Sequence, residues 1–523
     1  MFKKILILLK KYFYSNALLI NINQKIIPEE TQGFNHLNIF FNQNNNLKNS
    51  IITKKYIKTK SNKYRDSYYN TFEWLVTAKK IGGAESLYFS KNQIKLWIKE
   101  NYSINSIFWN NKYTSDRLIN LLYTYDFYAI TSDKKEIFFF NKIIYKHHLL
   151  NEVFIKNLSI EKLSIENSKA SLLSNLIYKK KIDNLIKLIK FQIRYHVDIS
   201  GFHKSYNPVF QAQYINNLQE IKNILLYYKI DDIKELNFQI NNMTSVLNSL
   251  FHKDGSLALF NGSHNCFNKE IIKIIKQVDD LKDINLYSIK NGLAVYGDKY
   301  KKIFFDVVKP TNKFINKHLH SGTLSFEFSG KKEKIITNCG SINKVFSKKP
   351  EYLKYTAAHS SITLNNTNIS ELDNKKSYLR IPDNITYESD ENEKKIFFEA
   401  SHDGYKKNFK KIVKRKIIIY KNENIVFGED SIMPIKLYSK NDIYNIRFHL
   451  MPHCQCNLTN SKKKVIIKTK NKNTWLFEAN SEVTVEESIY INEENKVEQN
   501  KQIVISGFVK DIKRTEFWSI KEA

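Results

Sequence analysis

The hydrophobic period of the chain changes once, near residue 285, and this change constrains the fold more than any other feature. From Phe72 to about residue 284, apolar residues recur at three- and four-residue steps. Leu118, Leu121, Leu122 and Tyr125 form one stripe, and Leu218, Ile221, Leu225 and Tyr228 another. Further stretches cover roughly 134–152, 165–190, 233–251 and 268–283. Such spacing lines one face of an α-helix. Ser90 with Gln93 three residues on predicts a capping box, and so a helix start, ahead of Ile94, Leu96 and Trp97. After residue 285 the period is two. Leu324, Phe326 and Phe328 alternate with Ser325, Glu327 and Ser329, and Ile362 and Leu364 alternate with Ser361, Thr363 and Asn365. Alternation of this kind turns successive side chains to opposite faces of a strand. About a dozen short strands argue for an antiparallel sandwich. Roughly six or seven helices in series with short connections close as a bundle or as an α/α toroid of helical hairpins.

The reading is a multidomain α and β chain: a basic, polar arm over 1–70, a helical region over 71–284 and a β region over 285–523. At 523 residues the chain exceeds one simple core, and 42% hydrophobic residues exclude wholesale disorder. Charge is lopsided, with 83 Lys+Arg against 52 Asp+Glu leaving +31, which invites a polyanionic partner. The lysines are dispersed, however, and the 14 glycines and 7 prolines stand among many Lys, Asn and Ile, a composition typical of an AT-rich genome. No helix-turn-helix or RNA-binding motif carries a local basic face, so nucleic acid is not the expected partner. Four cysteines do not make a disulfide framework. No run approaches the ~18 apolar residues of a membrane span. In MFKKILILLKKYFY the apolar run Ile5 to Leu9 is shorter than the ~7–15 residues of an export signal, so the start reads as an amphipathic arm.

Polar constellations interrupt both patterns. ISGFHKSYNP presents His203, Tyr206 and Asn207 on a loop that opens a helix. In NKHLHSGTLSFEF, His318 and His320 lie two apart and face one way in an extended chain, half of a metal site. YTAAHSSITLNN brings His359 to the start of a strand behind small residues, which admit a ligand or a neighbouring backbone. His449, His453, Cys454 and Cys456 in RFHLMPHCQC have no ordinary structural-zinc spacing.

Several phrases together resemble the heparinase II/III-like polysaccharide lyases: DGSLALFNG (Asp254 to Gly262), HLHSGTLSFEF, YTAAHSSITLNN, SHDGY (Ser401 to Tyr405) and RFHL (Arg447 to Leu450). FEWL (Phe72 to Leu75) and DRLINLLYTYDF (Asp116 to Phe127) resemble the helical half of bacterial members. The resemblance implies an N-terminal α/α toroid followed by a C-terminal antiparallel β-sandwich. It implies β-elimination on uronic-acid-containing acidic polysaccharide, with no required cofactor. By that resemblance His203, Tyr206, Asn207 and His318 are the catalytic residues, with His203 and Asn207 matching the segment that neutralises the uronate carboxylate. His359 falls against substrate, and His320 and His359 match ligands of a structural zinc in some members. Asn338 stands where those members carry a carboxylate, Gly322 where they carry an aspartate, and Phe260 in place of an expected tyrosine. The alternative is a glycan-binding or cell-envelope assembly protein that kept the fold without turnover. Family analogy points to the periplasm or cell envelope, and the lack of a clear export signal points to the cytoplasm.

Overall fold

Helices between Glu73 and Ile275 give way to strands between Leu293 and Glu522, as the change of period requires. The computed structural model describes residues 69–103, 106–129, 131–231, 233–279, 281, 284–289, 291–310, 319–342, 351–372, 378–436 and 440–523. All but the last two residues of the expected arm, and His318, lie outside these ranges. Contacts divide the chain into two units. One holds the residues up to His196 with Gln213–Ile240, and the other holds Val197–Ala212 with Asn241–Ala523.

In the first unit, the helices Gly83–Glu100, Asn111–Tyr123 and Lys134–Asn157 bury Trp97, Arg117 and His147. The Arg117 guanidinium lies 4.1 Å over the Trp97 ring. Its Nε donates to His147 Nε2 at 3.0 Å and its Nη1 to the Asn70 carbonyl at 2.6 Å. A buried guanidinium is tolerated where rings and hydrogen-bond acceptors replace its water.

Two local expectations are corrected here. Ser90 does not cap a helix: the helix already starts at Gly83, and the buried Ser90 hydroxyl donates back to the Ser86 carbonyl at 2.8 Å. The stretch 165–190 is two helices, Ile165–Ile177 and Asp183–His196. Between them Lys179 adopts φ 52. Lys179 N donates to the Leu176 carbonyl and Lys180 N to the Asn175 carbonyl, the paired bonds of a Schellman stop. Lys229 closes the helix Pro208–Tyr227 in the same way at φ 57. Among the described residues no helix is long and apolar enough to cross a membrane.

The second unit contains two eight-stranded antiparallel sheets. One begins with β1 (Leu293–Gly297), β2 (Lys301–Asp306), β3 (Phe326–Gly330) and β4 (Glu333–Thr337) and continues through Asp442–Leu450, Val497–Val509 and Val483–Ile491. The other runs from Gln455–Leu458 to Ile385–Glu391. Phe305, Phe326, Phe328, Ile417, Phe448, Trp475 and Trp518 belong to the core between them. Arg415 crosses that core. It grips Asp430 at 2.6 and 2.9 Å, and its Nη1 donates to the carbonyls of Leu324 (2.8 Å) and Ser360 (2.7 Å). Phe326, Phe448 and Trp518 surround the guanidinium.

Alternation would give the other face of β2 and β3 to water. Instead that face is covered: His252 rests on Phe304 with ring centres 4.6 Å apart, and Glu327, opposite Phe304 in register, is fully buried.

Candidate active site

The His203 loop is built by its own side chains. Asp198 Oδ1 accepts from Ser200 N, Ser200 Oγ and Phe202 N, turning the chain back on itself. Gly201, at φ +92, takes the left-handed corner, where a Cβ would meet Asn242 Nδ2 at 2.8 Å. His203 is then held from three sides. Its amide donates to Gln211 Oε1 at 2.6 Å, its Nδ1 accepts from Ser205 N at 3.2 Å, and its ring stacks on Phe210. The Ser205 hydroxyl also meets Nδ1 at 2.8 Å. With Nδ1 accepting, the neutral ring carries its proton on Nε2.

Asn207 caps the helix Pro208–Tyr227. Its Oδ1 accepts from Val209 N and Phe210 N, and Pro208 at the first helical position has no N–H to satisfy. The other end of the amide donates to the Asn261 carbonyl at 2.8 Å. Tyr206 sits between them at φ 48. Asn261 Nδ2 donates to its carbonyl, and Asn291 Nδ2 to its hydroxyl at 3.2 Å. Burial and the neighbouring Asp198 push the Tyr206 phenol above its ordinary range, so it is a protonated group at neutral pH.

Asn261 lies in the segment 257–262, which is docked on β3 and the end of β4. Leu259 N donates to Glu327 Oε2 at 3.0 Å, and Asn338 Nδ2 donates to the Leu259 carbonyl at 3.2 Å. Asn338 Oδ1 in turn accepts from Ser360 N, the residue after His359, at 3.0 Å. One path, hydrogen-bonded except for the chain segment from Leu259 to Asn261, therefore joins Asn207, Asn261, Leu259, Asn338 and Ser360. His359 is buried, and burial lowers its pKa to about 4. Its Nδ1 donates to the Tyr355 carbonyl at 2.8 Å, leaving Nε2 to accept from His320 Nδ1 at 3.2 Å.

Zinc is poorly served by this arrangement. The facing nitrogens of His320 and His359 share a proton, and both ends of the Asn338 amide are committed to the backbone. A Cβ on Gly322 would lie 2.7 Å from the His359 ring, so an aspartate there would collide with it. Among the described residues no cluster of three His, Cys, Asp or Glu side chains is disposed to hold a metal ion, whereas structural zinc takes four protein ligands. Cys339 contacts His449 at 3.7 Å, and burial pushes the Cys339 thiol up to about 12.

The structure thus ties together His203, Tyr206, Asn207, Asn338, His320 and His359, while His318 lies outside the described residues. Sequence reasoning passed over Asn261, Asn291, His252 and Glu327. DGSLALFNG was visible as a phrase, but nothing local in it says that Asn261 supports the Asn207 loop. Period two puts Glu327 on the strand face opposite Phe326 and Phe328 but does not say what covers that face.

Residues 276–517 match the family model described as heparinase II/III-like, C-terminal. Among solved structures, heparinase III aligns over 100% of this chain and 89% of that chain, with a TM-score of 0.72 and 11% identity. Heparan sulfate lyase from Pedobacter heparinus aligns over 89% of this chain and 78% of that chain, with a TM-score of 0.61 and 12% identity. Xanthan lyase from Paenibacillus aligns over 99% of this chain and 59% of that chain, at 0.51 and 7%. Likeness at these identities establishes the order of folds: a helical toroid, then a β-sandwich. No curated protein matches the chain.

Proposed function

We propose that this chain, whose residues 276–517 form a heparinase II/III-like C-terminal domain, is a polysaccharide lyase that cleaves uronic-acid-containing acidic glycans by β-elimination. The observation that carries the reading is the path from Asn207 through Asn261, Leu259 and Asn338 to Ser360, which supports the His203 loop and the His359 segment on one scaffold.

Elimination makes three demands. The C5 proton becomes acidic only when the adjacent carboxylate is neutralised. A base must take that proton while its bonding pair forms the C4=C5 double bond. The glycosidic oxygen leaving C4 must receive a proton. His203, with its proton on Nε2, is a donor for the carboxylate, and such preorganised donors stabilise the charge that builds up in the transition state. Asn207 holds that loop in place, its amide committed to the helix start and to the Asn261 carbonyl. Proton transfer falls to His318, whose imidazole is suited to it near neutrality, with the protonated Tyr206 as a donor toward the leaving oxygen. Atoms balance without water or a redox partner. The +31 charge suits a polyanionic substrate.

The test is the ultraviolet absorbance of the unsaturated product on a panel of uronate glycans. His203→Ala and His318→Ala are each expected to lower kcat/KM by at least about 100-fold with the melting temperature nearly unchanged. Absence of product across the panel overturns the reading. Glycan binding without turnover is the second reading, favoured by the buried Phe260 and by the Tyr206 hydroxyl already held by Asn291. It predicts affinity for the same glycans with no absorbance.

A further inference from the structure

Glu327 carries an unusual load for a strand residue. One carboxylate oxygen receives His252 Nε2 at 2.9 Å, Leu259 N at 3.0 Å and Lys334 Nζ at 2.9 Å. The other receives Asn338 N at 2.9 Å and Thr337 Oγ1 at 3.2 Å. The side chains of His252, Glu327 and Lys334 are all fully buried. Two of the five donors are backbone amides of the segments that form the site: Leu259, two residues before Asn261, and Asn338, whose side chain leads to His359.

We infer that Glu327 is a positioning residue for the elimination proposed above, fixing the segment that carries Asn261 and the strand end that carries Asn338 without itself touching the glycan. This rests on that reading of the site. Only a carboxylate answers five converging donors, because it has acceptor sites on both oxygens and no hydrogen. A glutamine would turn an NH₂ against either Leu259 and His252 or Asn338 and Thr337. An apolar residue would orphan two buried backbone amides. Burial alone would raise the Glu327 pKa, but Lys334 and His252 hold it down to about 2, so the acceptor is ionised throughout the working range. The segment 252–259 is docked a second time on β4, where Lys334 N donates to Asp254 Oδ2 at 3.3 Å. Removing Glu327 therefore loosens the path at Leu259 and Asn338 while leaving His203 and its Ser205 and Gln211 contacts in place.

The experiment compares the full-length chain with Glu327→Gln and with the charge-balanced double variant Glu327→Gln/Lys334→Met. Turnover is followed on whichever uronate glycan of the panel the unaltered chain cleaves, and amide hydrogen exchange is followed over 257–262 and 336–340. The double variant is expected to stay folded, to lose at least about 10-fold in kcat with KM changed by less than about 3-fold, and to exchange Leu259 and Asn338 at least about 10-fold faster. Wild-type turnover in the double variant would show that Glu327 only balances Lys334 and would overturn the inference. So would unchanged exchange at both amides. If the unaltered chain cleaves no glycan on the panel, the lyase reading falls, and the exchange measurement alone decides whether Glu327 positions these segments.

Discussion

Replacing Arg415 by alanine is expected to destabilise the β-sandwich by about 3–5 kcal/mol, the range for breaking one side of a buried ion pair. The guanidinium does three things at once. It neutralises Asp430 across two hydrogen bonds, it closes the carbonyls of Leu324 and Ser360, and it lies among Phe326, Phe448 and Trp518. Alanine leaves Asp430 fully buried, with the Trp518 indole N–H at 2.9 Å as its remaining side-chain donor. The melting temperature should fall by roughly 10 °C, and the urea midpoint should drop at unchanged slope. Arg415→Met combined with Asp430→Leu should recover much of the loss, because apolar replacement of a whole buried pair is often neutral. An Arg415→Ala variant as stable as the parent would mean that Asp430 finds another partner. Since the same guanidinium holds the carbonyl next to His359, turnover should fall with stability rather than independently of it.

Acid should unfold the same sandwich well above the ordinary carboxylate range. Burial lowers the pKa values of His252 and His359 to about 4 and those of His402 and His449 to about 3. In the unfolded chain each returns to about 6.5. A depressed folded pKa contributes stability that is present above the unfolded value and lost as pH falls toward the folded one. Between about 6.5 and 4 the unfolded chain therefore binds up to four more protons at these positions. Asp306 opposes them, because burial raises its carboxyl to about 8 and the folded state holds a proton that the unfolded state releases. The remaining imbalance of about three protons corresponds to about 4 kcal/mol per pH unit in mid-window. The urea midpoint should fall steeply between pH 7 and pH 5.5. A flat profile down to pH 5 would show that these histidines charge in place.

The architecture was legible because it rests on periodicity summed over many residues. Local signals were less reliable. The Ser90–Gln93 pair has the right letters for a cap, yet the helix had already begun at Gly83, and a capping motif carries no information about the turn before it. The break at Lys179 was invisible because the left-handed stop is made by a lysine rather than a glycine. In the site, His203 and Asn207 stood out as loop polar residues ahead of a helix. Glu327 did not, because alternation within one strand cannot report that residues 252–259 will cover its outer face. Two of its partners, His252 and Leu259, are some seventy residues distant in sequence, so their meeting is a property of the fold and not of any window.

The lysine stops bear on how this chain has been allowed to evolve. Among the described residues fifteen non-glycine side chains adopt positive φ, seven of them lysines and five asparagines, against seven glycines. Each such lysine holds a backbone shape that glycine would adopt without steric penalty. A chain rich in lysine and asparagine thus fills its corners with residues that are merely tolerated. The corners at Lys179, Lys229, Lys410 and Lys462 are places where a single codon change could add robustness.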